Sequence, residues 1–406
     1  MPRVSKTAQV ATALSQHQEL QIAVEQAASE VSDKLDAPAD LVFAFVSGHR
    51  TILQNPQTRQ GLIQGLSDAS QNLGTDQILG CTAESIVHNQ TEVEFLPAVS
   101  LWAARLPNVN LDLMHLGYQR QLDGGAFVGW PEQVEGEWPA GSFLIMLADP
   151  YSFPTDVLLS RLNQDRPGVR VVGGMASGGD APRSNSLLYK TQVLDQGCVA
   201  ARVHGDIALH TIVSQGCRAV GQPYVITDCQ RNAILELGGQ PALTRLRELY
   251  AGLPPDDRDK LQQGLHIGRL VDEYIEEPAY GDFLIRNLIG FQEQQGSILA
   301  SDFFRKGQTI QFHIRDEQSA HIDLQTLLSE QSRDGKHNLI GGLAFSCNGR
   351  GSRMFQTPNH DAQLIQSFLG PLPIAGFFAA GEIGPVAGQN FVHGFTNSLA
   401  LLERLN

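Results

Sequence analysis

The sequence predicts a mixed α/β (α+β) fold, a layered sandwich of repeated strand-helix-multistrand units forming two pseudo-symmetric domains. Three observations carry this expectation. Apolar runs at Leu41 to Val46 and Phe143 to Ala148 each stop at a turn, Ser47-Gly48 and Asp149-Pro150. Each is followed by a helix-spaced stretch and a second short apolar run. The order recurs at roughly 80 to 100 residues, too long a period for a solenoid.

The elements read as follows. Val10, Leu14, Leu20, Val24, Ala27, Val31 and Leu35 stand at roughly helical spacing, predicting an amphipathic helical segment within residues 1–40 that ends near Pro38. Strand 41–46, helix 57–73 and strand 77–82 follow, with alternating stretches near 92–105 and 110–118. The copy runs through strand 143–148, helix 156–163, strand 169–173 and alternating segments near 186–214. Weaker copies follow, with helix 242–249, strand 265–271, strands within 283–314, a helix near 324–330, strand 339–346 and a closing helix and strand pair. Gly221-Gln222-Pro223 and the polar segment 253–263 are the main punctuation, which places a boundary near 224 and domains at 41–224 and 225–406.

With 406 residues, 42% of them hydrophobic, and 40 glycines, the chain reads as a globular protein rich in tight turns. Its formal net charge of -14 repels phosphate backbones, and no basic patch overrides it, so nucleic acid is not an expected partner. Five scattered cysteines without a CxxC signal neither a disulfide framework nor a zinc site and point to a reducing cytoplasm. The first residues lack an apolar core for secretion, and no run is long enough to span a bilayer. No HExxH, GxSxG or GxxxxGK[ST] occurs, and the glycine spacing fits no dinucleotide fingerprint; no cofactor or metal is signalled.

The clearest chemical signal is Phe345-Ser346-Cys347-Asn348-Gly349-Arg350-Gly351, an apolar strand running into a turn with glycine on both sides of an arginine. Exposed N–H groups beside a guanidinium suit a carboxylate or other small anion, and Asn348 adds a polar contact. The structural alternative is a tight Asn-Gly turn whose Arg350 pairs with an internal acid. Cys347, with His360, Asp361 and His393 downstream, also invites a Cys-His-Asp nucleophile reading, against which stands an inert thiol at a strand end. The string Gly376 to Pro385 places Glu382 between glycines, where it could meet a ligand ammonium. Gly80-Cys81-Thr82-Ala83-Glu84 and Gly173 to Gly179 echo it, so corresponding strand ends are expected to line one cleft, unless these glycines serve only close sheet–helix contact. His393-Gly394-Phe395-Thr396 supplies an imidazole and a hydroxyl, or a structural histidine.

In order, SCNGRG at 346–351, GFFAAGEIGP at 376–385 and HGFT at 393–396 resemble the FIST C-terminal domain. Upstream, LGCTAE at 79–84, VGGMA at 172–176 and SQGCR at 214–218 resemble the FIST N-terminal domain, so the resemblance covers nearly everything after residue 40. It implies a sensory or signal-transduction module, of a kind found in bacterial signalling proteins and eukaryotic F-box proteins, that binds a small polar metabolite such as an amino acid. A zwitterionic ligand would be held by Cys347, Asn348, Arg350, Glu382 and His393, and a separate partner protein would carry the signal. The rival from another class is a ligand-free protein-binding adaptor or assembly factor. This chain has Ala83 where a glycine before the acid is expected, and it shows no fused output segment.

Overall fold

The computed structural model describes residues 7–48, 55–121, 124–278, 281–333 and 338–405. Its fold is mixed α/β, in two compact units. The first comprises Met1–Val213, Gln325–Val392 and Asn397–Asn406, and the second Ser214–Leu324 and His393–Thr396. Among the described residues no helix is long and apolar enough to cross a membrane.

The first unit repeats one plan three times: a leading strand, a variable insertion, a central strand, a helix, a parallel strand, a hairpin and a return strand. The first repeat uses strands Gln9–Ser15, Leu41–Ser47, Ile78–Ala83 and Ala98–Arg105 with helix Pro56–Leu73. The second uses Val109–Gln121, Phe143–Ala148, Arg170–Met175 and Cys198–Gly205 with helix Thr155–Asp165. The third uses Ile207–Gln215, Leu339–Cys347, Ile374–Ala379 and Thr396–Arg404 with helix His360–Leu369. What differs is the insertion. It is helix Leu20–Lys34 in the first repeat, strand Gly124–Val128 with a short 3-10 turn in the second, and most of the second unit in the third.

Each repeat forms a sheet in the order leading, return, central and parallel strand, and a hairpin from another repeat completes it. Hairpin Ser85–Glu94 of the first repeat adds to Ile374–Ala379 of the third, through Phe377 opposite Ile86. Hairpin Glu382–His393 of the third adds to Arg170–Met175 of the second, with Gly174 opposite Glu382. Hairpin Leu187–Leu194 of the second adds to Ile78–Ala83 of the first, with Cys81 opposite Leu187. The exchange is therefore cyclic, and it supplies partners for backbone groups that would otherwise form an open edge.

One glycine recurs in register in every parallel strand: Gly80 opposite Ala44, Gly173 opposite Met146 and Gly376 opposite Ala344. A Cβ at these positions would stand 2.0 Å from the Ala44 carbonyl oxygen, 1.8 Å from that of Met146 and 1.8 Å from that of Ala344. No side chain fits there. The inner faces of the three sheets share one core, in which Phe45 and Phe377 lie 5.1 Å apart and Phe345 meets Phe377 edge-on at 5.7 Å. On the outer face of the first sheet, helices Leu20–Lys34 and Pro56–Leu73 bury Val24, Val31, Leu62 and Leu66. Asn55 caps the latter helix by accepting from the N–H groups of Gln57 and Thr58.

In the second unit six antiparallel strands close a ring. Strand Cys217–Gln230 pairs along its first part with Thr309–Arg315 and along its last part with Ala233–Leu237. Strand Phe283–Gln292 likewise passes from Leu265–Leu270 to Ser297–Ala300, which in turn pairs with Ala233–Leu237. Register shifts in both long strands mark bulges that let them bend. Ile226, Ile267, Ile298, Ile310 and Phe312 fill the interior with Leu243 and Leu246 of helix Ala242–Gly252.

Three local expectations are corrected. Residues 7–35 are not one helix, because Gln9–Ser15 is a strand paired with Ala98–Arg105 and only Leu20–Lys34 is helical. Val10 and Leu14 match a helical period, but Val10, Thr12 and Leu14 also alternate with alanines, and a segment of seven residues is too short for periodicity to separate the two states. The polar segment 253–263 contains helix Pro255–Gln263. Gly221-Gln222-Pro223 sits in the bulge of strand Cys217–Gln230, where a proline is tolerated.

Gly376→Ala should lower stability by about 3 kcal/mol or more in urea unfolding, because backbone must move to admit the methyl group. Gly61→Ala, in helix Pro56–Leu73 with ordinary contacts at 3.7 Å, should be neutral or stabilising by up to about 1 kcal/mol.

Candidate functional site

The recurring glycine aligns the carboxyl ends of the strands. In register with one another stand Ser47, Asp149 and Cys347 at the ends of the central strands, and Glu84, Ser177 and Ala380 just beyond the parallel ones. Each of the three central ends makes hydrogen bonds of its own. The Ser47 hydroxyl donates to the Leu96 carbonyl at 2.8 Å. Buried Asp149 accepts from the Ser152 N–H at 2.9 Å, from its hydroxyl at 2.6 Å and from Asn185 at 3.3 Å. In the third repeat the corresponding residue is a half-buried thiol, Cys347, whose Sγ accepts from the Gly349 N–H at 3.4 Å.

The parallel ends meet directly. The Ser177 hydroxyl accepts from the Glu84 N–H at 2.9 Å and donates to the Phe378 carbonyl, and the Ser177 N–H donates to the Thr82 carbonyl at 3.1 Å. One serine thus ties the three repeats together at this end of the unit.

Arg350 has no exposed surface and forks onto Asp361, with Nε 2.6 Å from Oδ2 and Nη2 3.0 Å from Oδ1. Asn397 donates to the same carboxylate at 3.0 Å, and His360 Nδ1 lies 2.9 Å from it. The His360 ring stacks on Phe355 at 3.6 Å, and the guanidinium carbon of Arg350 lies 5.2 Å from the same phenyl ring. The turn after Cys347 is therefore pinned to the start of helix His360–Leu369 by a planar, two-bond ion pair.

A second carboxyl group enters this cluster from the exchanged hairpin. Glu92 accepts from the Ala362 N–H at 3.0 Å through Oε1, and its own N–H donates to Asn359 at 2.7 Å. Its Oε2 is buried and has no hydrogen-bond partner among the described residues. Burial, and then the neighbouring Asp361 charge, push the Glu92 carboxyl up to about 8. Burial acts on Asp361 in the same direction, but the Arg350 charge and the bonds from His360, Arg350 and Asn397 outweigh it and hold that carboxyl well below the usual range. One guanidinium neutralises one of the two acids, and the other keeps its proton.

Around this buried pillar lies a more accessible layer. Asn348 donates through its N–H to the Ala379 carbonyl at 3.0 Å, and its half-buried side chain carries an Oδ1 with no hydrogen-bond partner among the described residues. The Asn348 carbonyl accepts from Arg353 at 2.7 Å. Arg353 also forks onto Glu84, with Nη2 3.0 Å from Oε1, and its guanidinium carbon lies 4.9 Å from the Phe95 ring centroid. Glu94 accepts from the Ser352 N–H at 3.0 Å and hydroxyl at 2.6 Å.

Of the five residues expected to contact a ligand, Cys347 and Asn348 are half-buried, whereas Arg350 and Glu382 are fully buried. Glu382 begins the exchanged strand opposite Gly174. His393 belongs to the second unit with Gly394, Phe395 and Thr396. There Phe395 packs on His266 with ring centroids 4.3 Å apart, and Arg315 lies 5.2 Å over it. Glu92, Glu94 and Arg353 were not singled out from the sequence, because Thr91-Glu92-Val93-Glu94 has the alternation of any half-solvated strand. No group of three or more His, Cys, Asp or Glu side chains among the described residues is placed to hold a metal ion.

Cyclically exchanged α/β repeats, an inserted β-barrel and a polar turn pinned at the strand ends define a repeat-built α/β protein with its polar groups at one end of the sheets. The chain belongs to the FIST family: residues 40–240 match the FIST N domain and 242–385 the FIST C domain. It is 43% identical to an uncharacterized protein of Mycobacterium tuberculosis over 80% of this chain and 83% of that one. It is 41% identical to an uncharacterized protein of Mycobacterium bovis, over 83% and 85%. An F-box/LRR-repeat protein of Arabidopsis thaliana is 23% identical over 71% of this chain and 61% of its own length.

Arg350→Ala should lower stability by about 3–5 kcal/mol in denaturant titration, since it leaves Asp361 buried without its cation. The pH dependence separates the two acids. Between 4.5 and about 8 native Glu92 holds a proton that the unfolded chain has released, so its contribution to stability is lost as pH rises through that window. Asp361 contributes above 3.8 and loses that contribution as pH falls below it. Glu92→Gln, which mimics the protonated acid, should flatten the decline on the alkaline side.

Proposed function

We propose that this protein is a sensory or signal-transduction module that binds a small polar ligand, an amino acid being the leading class, and relays its presence to a separate partner protein. FIST domains are associated with signal transduction and ligand sensing, which sets the class of function. The observation that carries the reading is the contrast within the Cys347 to Arg353 turn. Its buried residue, Arg350, is fixed by Asp361, while half-buried Asn348 keeps a buried, unpartnered side-chain oxygen and half-exposed Arg353 pairs with the mostly buried Glu84.

Arg353 is 44% exposed and Glu84 13%, so the pair is reached from its arginine side. A zwitterion that brings both charges can replace it, with its carboxylate on Arg353, its ammonium on Glu84 and a further donor on Asn348. Cys347 forms the floor beside them, and Arg350 and Glu382 act from below by holding the turn and the strand ends in place. Ligand binding then biases whichever conformation of the turn it contacts better, and a partner that reads that conformation receives the signal.

A thermal-shift screen against amino acids and central metabolites tests this, because native-state binding raises the melting temperature by mass action. At least one amino acid should raise it, and Asn348→Ala and Arg353→Ala should each abolish the rise while remaining folded. No shift with any compound at millimolar concentration would replace this reading with that of a ligand-free protein-binding adaptor.

A further inference from the structure

The insertions of the first two repeats make unlike surfaces against their helices. In the first repeat the seam between helices Leu20–Lys34 and Pro56–Leu73 is closed, so that a Cβ on Gly65 would lie 3.0 Å from Val24 Cβ and 3.2 Å from the Gln21 carbonyl oxygen. In the second repeat the insertion is strand Gly124–Val128 and the 3-10 turn Glu132–Val134. Where these face helix Thr155–Asp165 they leave an open cleft of 390 Å³.

Its walls are aromatic. Phe127, Trp130 and Trp138 line it, and Leu158 and Leu162 of the helix add apolar surface. Phe127 is braced by Phe153 at 5.3 Å, and the Trp138 indole N–H donates to the Val134 carbonyl at 2.9 Å. Phe127 and Trp138 are thus held before any ligand arrives.

Two arginines enter the same cleft. Arg161 lies with its guanidinium carbon 5.3 Å from the Phe127 centroid and donates to the Gly125 carbonyl at 3.0 Å. Arg166 lies 4.5 Å over Trp138. Neither forms a salt bridge with a carboxylate among the described residues. Arg202, 5.4 Å from the Trp138 centroid, is by contrast neutralised by Asp112 at 2.8 Å. Burial, and then the charge of Arg202, hold the Arg166 pKa down against the opposing effect of Asp165. Glu135 and Asp165 also line the cleft. They balance its formal charge and disfavour a polyanion.

We infer that this cleft is a second ligand site, taking an aromatic monocarboxylate whose carboxylate is held by Arg161 and Arg166 and whose ring lies against Trp130. A guanidinium fork matches a carboxylate in two parallel bonds, and an apolar pocket with a few convergent polar groups is the usual form of a small-molecule site. The inference is independent of the strand-end turn, since it uses none of that site's residues.

Phenylacetate is the probe, and tryptophan fluorescence is the readout. The chain has three tryptophans, of which Trp130 and Trp138 line the cleft while Trp102 is fully buried in the core. Phenylacetate should change the emission saturably, and Arg161→Gln and Arg166→Gln should each weaken the response by about tenfold. Acetate and benzyl alcohol, which carry the charge and the ring separately, should bind at least about tenfold more weakly. Circular dichroism and melting temperature establish that each variant is folded, and Trp130→Phe should remain folded and lose most of the signal. No saturable change up to about 10 mM, an equal response to benzyl alcohol, or an unchanged affinity in both folded arginine variants would overturn the inference.

Discussion

The backbone hydrogen bonds between each exchanged hairpin and another repeat's parallel strand are the constraint on which the first unit depends. A lone repeat would end in a strand whose outward N–H and C=O groups have no partner, an edge costly to bury and prone to mispairing. Here Ile86 to His88, Leu187 to Tyr189 and Glu382 to Ile383 each close a sheet that belongs to another repeat. Because the exchange is cyclic, no repeat is satisfied until all three are formed. Return strand Thr396–Arg404 must therefore arrive before the third sheet is complete, although it follows the inserted barrel in the chain. Such long-range pairing raises contact order and places most of the closure cost ahead of the reward.

The same exchange builds the polar site. Hairpin Ser85–Glu94 brings Glu92 and Glu94 from the first repeat onto the turn and helix start of the third, where they bond Ala362 and Ser352. The glycines in the parallel strands set how closely the sheets approach, and Ser177 joins the three strand ends. Within that frame Arg350 and Asp361 form a fully desolvated ion pair. Such a pair adds little net stability compared with an apolar replacement, but it becomes costly when half of it is removed. It determines where the turn sits, with half-exposed Arg353 as the most accessible of the charged groups beside it.

The three repeats also show how one plan diverges. Equivalent strand ends carry Ser47, Asp149 and Cys347, of which the first bonds the distant Leu96 carbonyl and the second the loop that follows it. Equivalent insertions are a helix on a tight seam, a hairpin strand over an aromatic cleft, and a whole barrel. A scaffold whose stability rests on shared sheets and one common core can accept such differences at its loops, where new surfaces leave that core intact.

The central strands Leu41–Ser47, Phe143–Ala148 and Leu339–Cys347 were legible as short apolar runs because both of their faces are covered, and their helices because one apolar stripe faces a sheet. The glycine-flanked turn at Asn348 to Gly351 was legible for the same local reason. Strand Gln9–Ser15 was not, since its pattern suits either state and its partner Ala98–Arg105 decides. Nor was the role of Arg350: sequence left a ligand carboxylate and an internal acid equally open, and Asp361 with Asn397 settles its fork on an internal acid. Glu92 was further from reach, because its bond to Ala362 spans 270 residues and its raised pKa arises from burial and a neighbouring acid brought there by the hairpin exchange. By itself the sequence determined most central strands and helices, the likeness of the first two repeats and the family, all of which follow from local periodicity, turn chemistry and motif order. Which acid meets which base, which strand edge is covered and which side chains stay accessible were decided only by tertiary structure, because those pairings depend on distances that no local pattern encodes.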